Sequence, residues 1–307
     1  MIGTVKKAPG GRSPLLKQIK AYIKRPKTAL ERFKLLGIPY YLILLVLVII
    51  PMILILFYAI TTPNKDDAIL LTLNNFIAFF QEEGFVGVLW DSIRISGITT
   101  IVTLLIAYPL AYIICDYKLK KQALIILLVS APMWVNMLLR TIAWKQILST
   151  AGPLNAALGW LFGMEPINFL GTDFAVVLGM VYIFLPFMVI PIYNNLSKID
   201  NRLIEASLDL GASRKYTFFK VTLPLSLPGV LSGVTMVLLP SATTLVVPRF
   251  LGEGRYFLIG NLIEQKFLKS GLWNYGAAIS IILVVVLFII LFLTKKVDRF
   301  HKDEEDD

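Results

Sequence analysis

The sequence predicts an all-α integral membrane protein with six spanning helices, and three observations carry that prediction. Of its 307 residues, 57% are apolar, and the mean hydropathy is +0.74. That is too hydrophobic for an ordinary soluble domain. The apolar residues are gathered into blocks, each able to cross about 30 Å of hydrocarbon at about 1.5 Å per residue. The basic residues are distributed unevenly between the loops, which sets an orientation.

The first block, 38–60, is uncharged throughout. The second is 95–115. The third, 123–139, is short but extendable through Trp144. The fourth is 174–196, the fifth lies within 221–248, and the sixth is 276–294. Six crossings put both termini on one side. Only eight of the 30 basic residues fall on the other side: Lys65, Arg94, Arg140, Lys145, Arg249, Arg255, Lys266 and Lys269. The remaining 22 lie in the two termini and in the loops 116–122 and 197–220. The positive-inside rule therefore places the termini and both loops in the cytoplasm. The long outer loops 61–94, 140–173 and 249–275 read as carrying short interfacial helices. The chain divides into a basic N-terminal segment 1–37, a first span 38–60, a transmembrane domain 90–294 with a polar loop 197–222, and a tail 295–307. The first 37 residues are polar and basic, and no small-residue cleavage site follows the first block, so the N-terminus does not read as a secretory signal.

Counting excludes several chemistries. One cysteine, Cys115, permits no internal disulfide, and one histidine, His301, leaves no histidine zinc site or Ser-His triad. No G-x-x-x-x-G-K-[ST] is present, so no P-loop holds a nucleotide, and Gly252–Gly254 fails as a dinucleotide motif because position 257 is Phe. A proton-coupled carrier needs carboxylates inside its spans. Here Asp91, Asp116 and Asp173 all fall at block ends. The net charge of +10 suits anionic lipid beside basic loops better than nucleic acid.

Prolines recur within or beside the blocks: Pro51, Pro109, Pro132, Pro186 and Pro240. Each removes a backbone hydrogen bond and can kink its helix. Pro240 is followed by Ser241, Thr243 and Thr244, a polar patch that reads as pathway lining. Gly229 and Gly233 form a small-xxx-small pair for close helix contact, either within the chain or at a seam with a partner. Lys17, Lys20, Lys24, Arg25 and Lys27 suit either a helix on anionic lipid or a solvated tail. The run 303–307 reads as a disordered acidic end.

The polar loop is the most informative stretch. Asp200 can cap a short helix, 201–210, with Leu203 and Leu210 on one stripe and small Ala206 and Ser207 permitting close approach. Gly211 then stands where a left-handed residue is wanted. Ser213 can cap a second short helix, 214–222, and Pro224 fits the first turn of the next span. Two readings remain: a docking knuckle for a partner, or a loop packed on its own bundle.

Glu205-Ala206-Ser207, Gly211, Val221 and Leu223-Pro224 resemble the EAA motif of ABC importer permeases. That pattern is E-A-A, three residues, G, nine residues, I, one residue, L-P, and the spacing is intact. Ser207 stands for the second alanine and Val221 for isoleucine. The runs at 134–155, 181–200 and 258–268 are similar to the PotB-type permeases of spermidine/putrescine importers, whereas 243–253, around Arg249, fits the family layout less closely. The resemblance implies a type I ABC importer permease fold in a bacterial inner membrane, with 201–211 as the coupling helix. It implies a second permease (PotC-type), two copies of an ATPase (PotA-type) and an extracellular polyamine-binding protein (PotD-type). ATP and Mg would then sit on the ATPase, with no cofactor or metal on this chain and no enzymatic activity of its own.

A polyamine can be held by acids, aromatic faces, hydroxyls and carbonyls. The spans offer Trp134, Asn136, Thr141, Trp144, Tyr182, Ser241, Thr243 and Thr244 as pathway candidates. Trp134 and Trp144 also suit an interfacial belt, and Tyr182 suits bundle packing. Arg140 is expected to snorkel to the outer interface or to pair with an acid on a partner. Thiamine, iron or an organic anion are alternative cargoes for the same machine. A secondary carrier working alone and a membrane enzyme are the alternatives of a different class.

Overall fold

A computed structural model describes residues 39–63, 69–82 and 84–303. The basic segment 1–37 lies outside the described residues, as does 304–307 of the acidic tail. The chain divides into two units between Phe57 and Tyr58.

The first unit contains most of helix α1, Pro39–Ala59, whose side chains are exposed almost throughout. A helix that is apolar all round belongs in lipid. Its π turn, Leu45–Ile49, ends just before Pro51. The proline ring cannot sit against a carbonyl four residues back, and a widened turn relieves that clash.

The second unit opens with a small antiparallel hairpin, β1 Thr61–Pro63 and β2 Ile69–Leu71, pairing Thr61 with Leu71. The short helix α2, Asn74–Gln81, follows. Helix α3, Phe85–Cys115, is a span of 31 residues. Most of its buried hydroxyls bond back to its own carbonyls, as Thr100 does to Ser96 at 2.7 Å and Thr103 to Thr99 at 2.6 Å, while Thr99 donates to the Met180 sulfur at 3.5 Å. Hydroxyls that bond back are satisfied inside an apolar bundle without a partner helix.

The expected third span, 123–139, is broken. Helix α4, Leu119–Ser130, passes into a 3-10 turn at Ala131–Trp134. Val135 is extended, and Asn136 caps a new helix, α5, Met137–Leu148, by accepting from the Leu138 amide at 2.8 Å. The two segments Leu119–Trp134 and Met137–Phe162, the second including α6 (Pro153–Phe162), meet at 92°. Pro132 withholds an amide and Asn136 supplies a start signal, and together they outweigh the apolar run.

Helix α7, Asp173–Leu196, runs parallel to α3. At one end Arg94 Nη2 lies 3.3 Å from Asp173, and at the other the Tyr193 hydroxyl donates to Gln122 at 2.9 Å. The bent segment between them therefore returns the chain across the bundle, and the six-crossing topology survives the break.

Helix α8, Asn201–Asp209, leads into α9, Arg214–Thr243. The second short helix expected at 214–222 is thus the first part of the fifth span. A π turn at Phe218–Thr222 joins the two parts, again ending just before a proline, Pro224. Gly229 and Gly233 bring α9 against α7. A Cβ on Gly229 would lie 2.5 Å from the Asn195 Cβ, and one on Gly233 would lie 2.7 Å from the Met188 sulfur. The small-residue pair therefore serves contact inside the chain. Short helices α10, Val246–Leu251, and α11, Ile259–Glu264, lie in the loop after α9. Helix α12, Trp273–Asp303, follows a π turn at Gln265–Lys269. It runs through the first part of the expected tail, so Asp303 is helical.

The main core is built from α3, α7 and α9, with Ile95, Ala107, Met180, Met188, Ile192 and Val237 among its buried members. The starts of α3, α7 and α12 lie at one end of the bundle. The start of α9 lies at the other, beside α8.

Candidate functional site

The polar loop folds as its local signals direct. Asp200 caps α8, its carboxylate accepting from the Arg202 amide at 3.0 Å. At the far end Gly211 takes φ +85°. The Gly211 amide donates to Leu208 at 2.9 Å and the Ala212 amide to Ser207 at 3.2 Å, the paired bonds of a Schellman ending. Ser213 caps the next helix by accepting from the Tyr216 amide at 3.3 Å.

Two contacts fix this knuckle to the bundle. The Ser207 hydroxyl lies 3.0 Å from that of Thr217, bridging α8 to the start of α9. Phe218 meets Tyr108 and Tyr112 of α3 edge-on, with centroids 5.9 and 5.5 Å apart. Tyr108 also bonds Ser226 at 2.8 Å. Ser226 already donates to the Leu223 carbonyl at 2.8 Å, so Tyr108 is the donor.

The opposite surface is free. Leu203 is 51% exposed, Leu210 89%, Tyr216 58% and Phe219 61%, and Glu205 and Ala206 are also exposed. Four large apolar side chains on one polar loop form a surface suited to a partner. Leu223 and Pro224 are half-buried in α9, behind that surface. Of the six motif residues, Glu205, Ala206 and Gly211 are exposed, and Ser207 faces inward to hold the angle.

The eight pathway candidates do not form one cluster. Trp144 and Tyr182 pack edge-on at 5.4 Å and border the main core. Thr141 and Ser241 are buried, and their hydroxyls donate to Met137 and Leu238 carbonyls of their own helices. Thr243 is exposed and bonds back to Leu239 at 3.2 Å, while Thr244 closes α9 with extended backbone. Trp134 is exposed beside the break, and Asn136 caps α5. The Thr141, Ser241 and Thr243 hydroxyls are thus committed as donors to their own helices.

Arg140 is half-buried, and its Nε and Nη1 are buried without an acceptor among the described residues. Arg249, by contrast, is ion-paired with Glu264, so the departure noted around it carries its own neutralising acid.

Sequence reasoning missed the side chains that brace the knuckle's end of the bundle. Gln122 donates to the Cys115 and Tyr117 carbonyls at 3.0 and 2.7 Å while accepting from Tyr193. A glutamine closing the basic loop 116–122, directly before the third apolar block, was the available signal. Phe218 carried none, because aromatics are common throughout the chain.

A broken third span, a tight core of three long helices and a capped knuckle between the fourth and fifth spans define a multi-pass helical membrane protein. The family described as "Binding-protein-dependent transport system inner membrane component" matches residues 121–300, and the chain belongs to that family. Its sequence is 39% identical over 235 residues to the spermidine/putrescine transport system permease protein PotB of Haemophilus influenzae, covering 76% of this chain and 81% of that protein. It is 37% identical over 240 residues to PotB of Escherichia coli K12, covering 76% and 87%. In fold it is similar to a chain of a bacterial alginate ABC transporter solved with a periplasmic protein carrying alginate pentasaccharide. The TM-score is 0.74 at 19% identity, covering 90% of this chain and 96% of that one. The protein is therefore an inner-membrane, multi-pass permease component with the type I importer fold.

Proposed function

We propose that this chain is one membrane-spanning subunit of an ATP-driven importer that carries polyamines, spermidine or putrescine, into the cytoplasm. The observation that carries the coupling half is the knuckle, an exposed apolar surface on a glycine corner, braced from behind onto α3. The cargo half rests on the PotB relatives. The excess of basic residues in the termini and in the loops 116–122 and 197–220 supports a cytoplasmic knuckle and cytoplasmic termini. There it would engage an ATPase subunit of a PotA-like pair, which binds ATP and Mg. A PotC-like permease would complete the pathway, and a PotD-like binding protein would deliver cargo to the opposite end. This chain supplies transport surface and no catalysis.

The cycle then follows from differential binding. ATP closes the ATPase pair, which moves the knuckle. Phe218 passes that motion to α3, and α9 moves with it as one continuous helix. Near-complete conversion between two states needs about 5.5 kcal/mol of preference for one of them. Among the described residues, the middle of the spans carries no carboxylate for ion coupling: Asp91 and Asp173 lie near helix starts beside Arg94. That supports an external engine over a carrier working alone.

The test has two readouts. Deleting the chain should abolish uptake of labelled spermidine or putrescine, and excess thiamine, iron or organic anion should not compete. Gly211→Asp should insert normally yet lose co-purification with the ATPase. Its Cβ strains the left-handed backbone, and its carboxylate adds charge to the contact. ATP-driven uptake at the normal rate by that variant would refute the coupling assignment, and unchanged polyamine uptake on deletion would refute the cargo.

A further inference from the structure

At the end of the bundle away from the knuckle, Lys266 is held in an unusual way. Its ammonium lies 4.8 Å from the Phe85 ring centre, 4.9 Å from that of Tyr275 and 3.9 Å from the Glu82 carboxylate. The two rings are 5.9 Å apart and inclined at 38°, so both reach the same point. The Tyr275 hydroxyl donates to the other Glu82 oxygen at 2.9 Å and so orients that carboxylate. The Lys266 side chain is only 14% exposed, whereas Glu82 is half-exposed and leaves the pocket open on one side.

We propose that this pocket is a binding site for a primary alkylammonium, plugged in this conformation by the protein's own lysine. One carboxylate and two converging aromatic faces are the groups that hold a primary ammonium with a methylene tail. A lysine side chain is itself a four-carbon chain ending in such an ammonium, the same unit as the end of a diaminoalkane. The walls and the plug sit on different kinds of structure. Phe85 opens the long helix α3, and Tyr275 lies in the first turn of α12. Lys266 sits on the π turn Gln265–Lys269, followed closely by Gly271 at φ +64°. An irregular turn beside a left-handed glycine rearranges more readily than a span. Withdrawing Lys266 would leave Glu82 facing an empty aromatic pocket, ready for an incoming cation. Its role as a waypoint for cargo rests on the polyamine reading above; the site itself does not.

The test is calorimetric titration of the purified full-length chain with butylammonium chloride at fixed ionic strength. Lys266→Ala should bind butylammonium at least tenfold more tightly than the wild type. Lys266→Arg, which keeps the pocket filled, should show no gain. Adding Glu82→Gln to Lys266→Ala should remove the gain. No gain in a folded Lys266→Ala chain, or a gain that survives Glu82→Gln, overturns the proposal. Failure of both Lys266→Ala and Lys266→Gln to fold also overturns it, because a purely structural pin predicts that result. Butylammonium binding without polyamine uptake would keep the site and remove the cargo. Polyamine uptake without the binding gain would do the reverse.

Discussion

The hydroxyl of Ser207 lies 3.0 Å from that of Thr217, joining the helix before the glycine corner to the helix after it. Ser207 occupies a motif position where alanine is expected, and an alanine cannot make this bond. Thr217 is almost fully buried, so its hydroxyl gains from a fixed partner. The bond sets the angle between the two arms independently of the backbone at Gly211.

A double-mutant cycle tests that role. Ser207→Ala and Thr217→Val should each weaken ATPase binding by about 1 kcal/mol, roughly fivefold, the usual worth of one such hydrogen bond. The double variant should be no weaker than the worse single variant, since both remove the same bond. Additive losses measured by pull-down titration would show that the hydroxyls act separately.

Phe218 should behave differently, because it faces the bundle rather than the partner surface. Its edge-on contacts with Tyr108 and Tyr112 are each worth about 0.5–1.5 kcal/mol beyond area burial. Phe218→Ala should therefore keep ATPase binding within about twofold and lower the uptake per ATP hydrolysed severalfold, since the knuckle can then move without moving α3. Phe218→Tyr should retain most of the coupling. A Phe218→Ala importer with a normal ratio of transport to hydrolysis would place the transmission elsewhere.

The knuckle was legible in the sequence because every part of it obeys a local rule. Asp200 and Ser213 accept from amides two and three residues on, and Gly211 is the residue best suited to its backbone angle. The broken third span was misread for the opposite reason. Pro132 and Asn136 signalled the break, yet the apolar residues around them satisfied the length of a span. The joining of 214–222 to the fifth span was missed because Pro224 suggests a helix start. A π turn lets the helix run through that proline without an interruption. The pocket around Lys266 could not be read at all, since Lys266 and Tyr275 reach Glu82 and Phe85 only through tertiary packing.

Tyr256 provides a pH test of the loop after α9. Partial burial, the hydrogen bond that it donates to Asp173 and the negative charge of that carboxylate push its phenol up from 10.0 to about 12, with Arg94 opposing. A pKa raised on folding means that the folded state holds the proton more tightly. The resulting stabilisation is complete below pH 10 and is lost as the pH rises through 12. The stability gap between the wild type and Tyr256→Phe should stay constant from pH 7 to 9 and shrink between pH 10 and 12. In an absorbance titration, the phenol missing from the variant should be a late-titrating one. If that phenol instead ionises near pH 10, the link to Asp173 does not form.

Arg140 yields a prediction opposite to the usual result of removing a charge. Its Nε and Nη1 are buried without an acceptor among the described residues, and unsatisfied buried donors on a charged group cost about 1–3 kcal/mol or more. Methionine has a similar length and needs no partner. Replacing a half-buried guanidinium, two of whose nitrogens are buried and unpaired, with an apolar residue relieves part of the desolvation penalty. Arg140→Met should therefore raise the melting temperature of the isolated chain in detergent by several degrees. In the assembled importer the same substitution should give no such gain and should slow uptake, because there a partner acid or another conformation supplies the missing acceptor. A lower melting temperature for the isolated variant would mean that the guanidinium is already satisfied within this chain, and the argument for an acceptor elsewhere would fail.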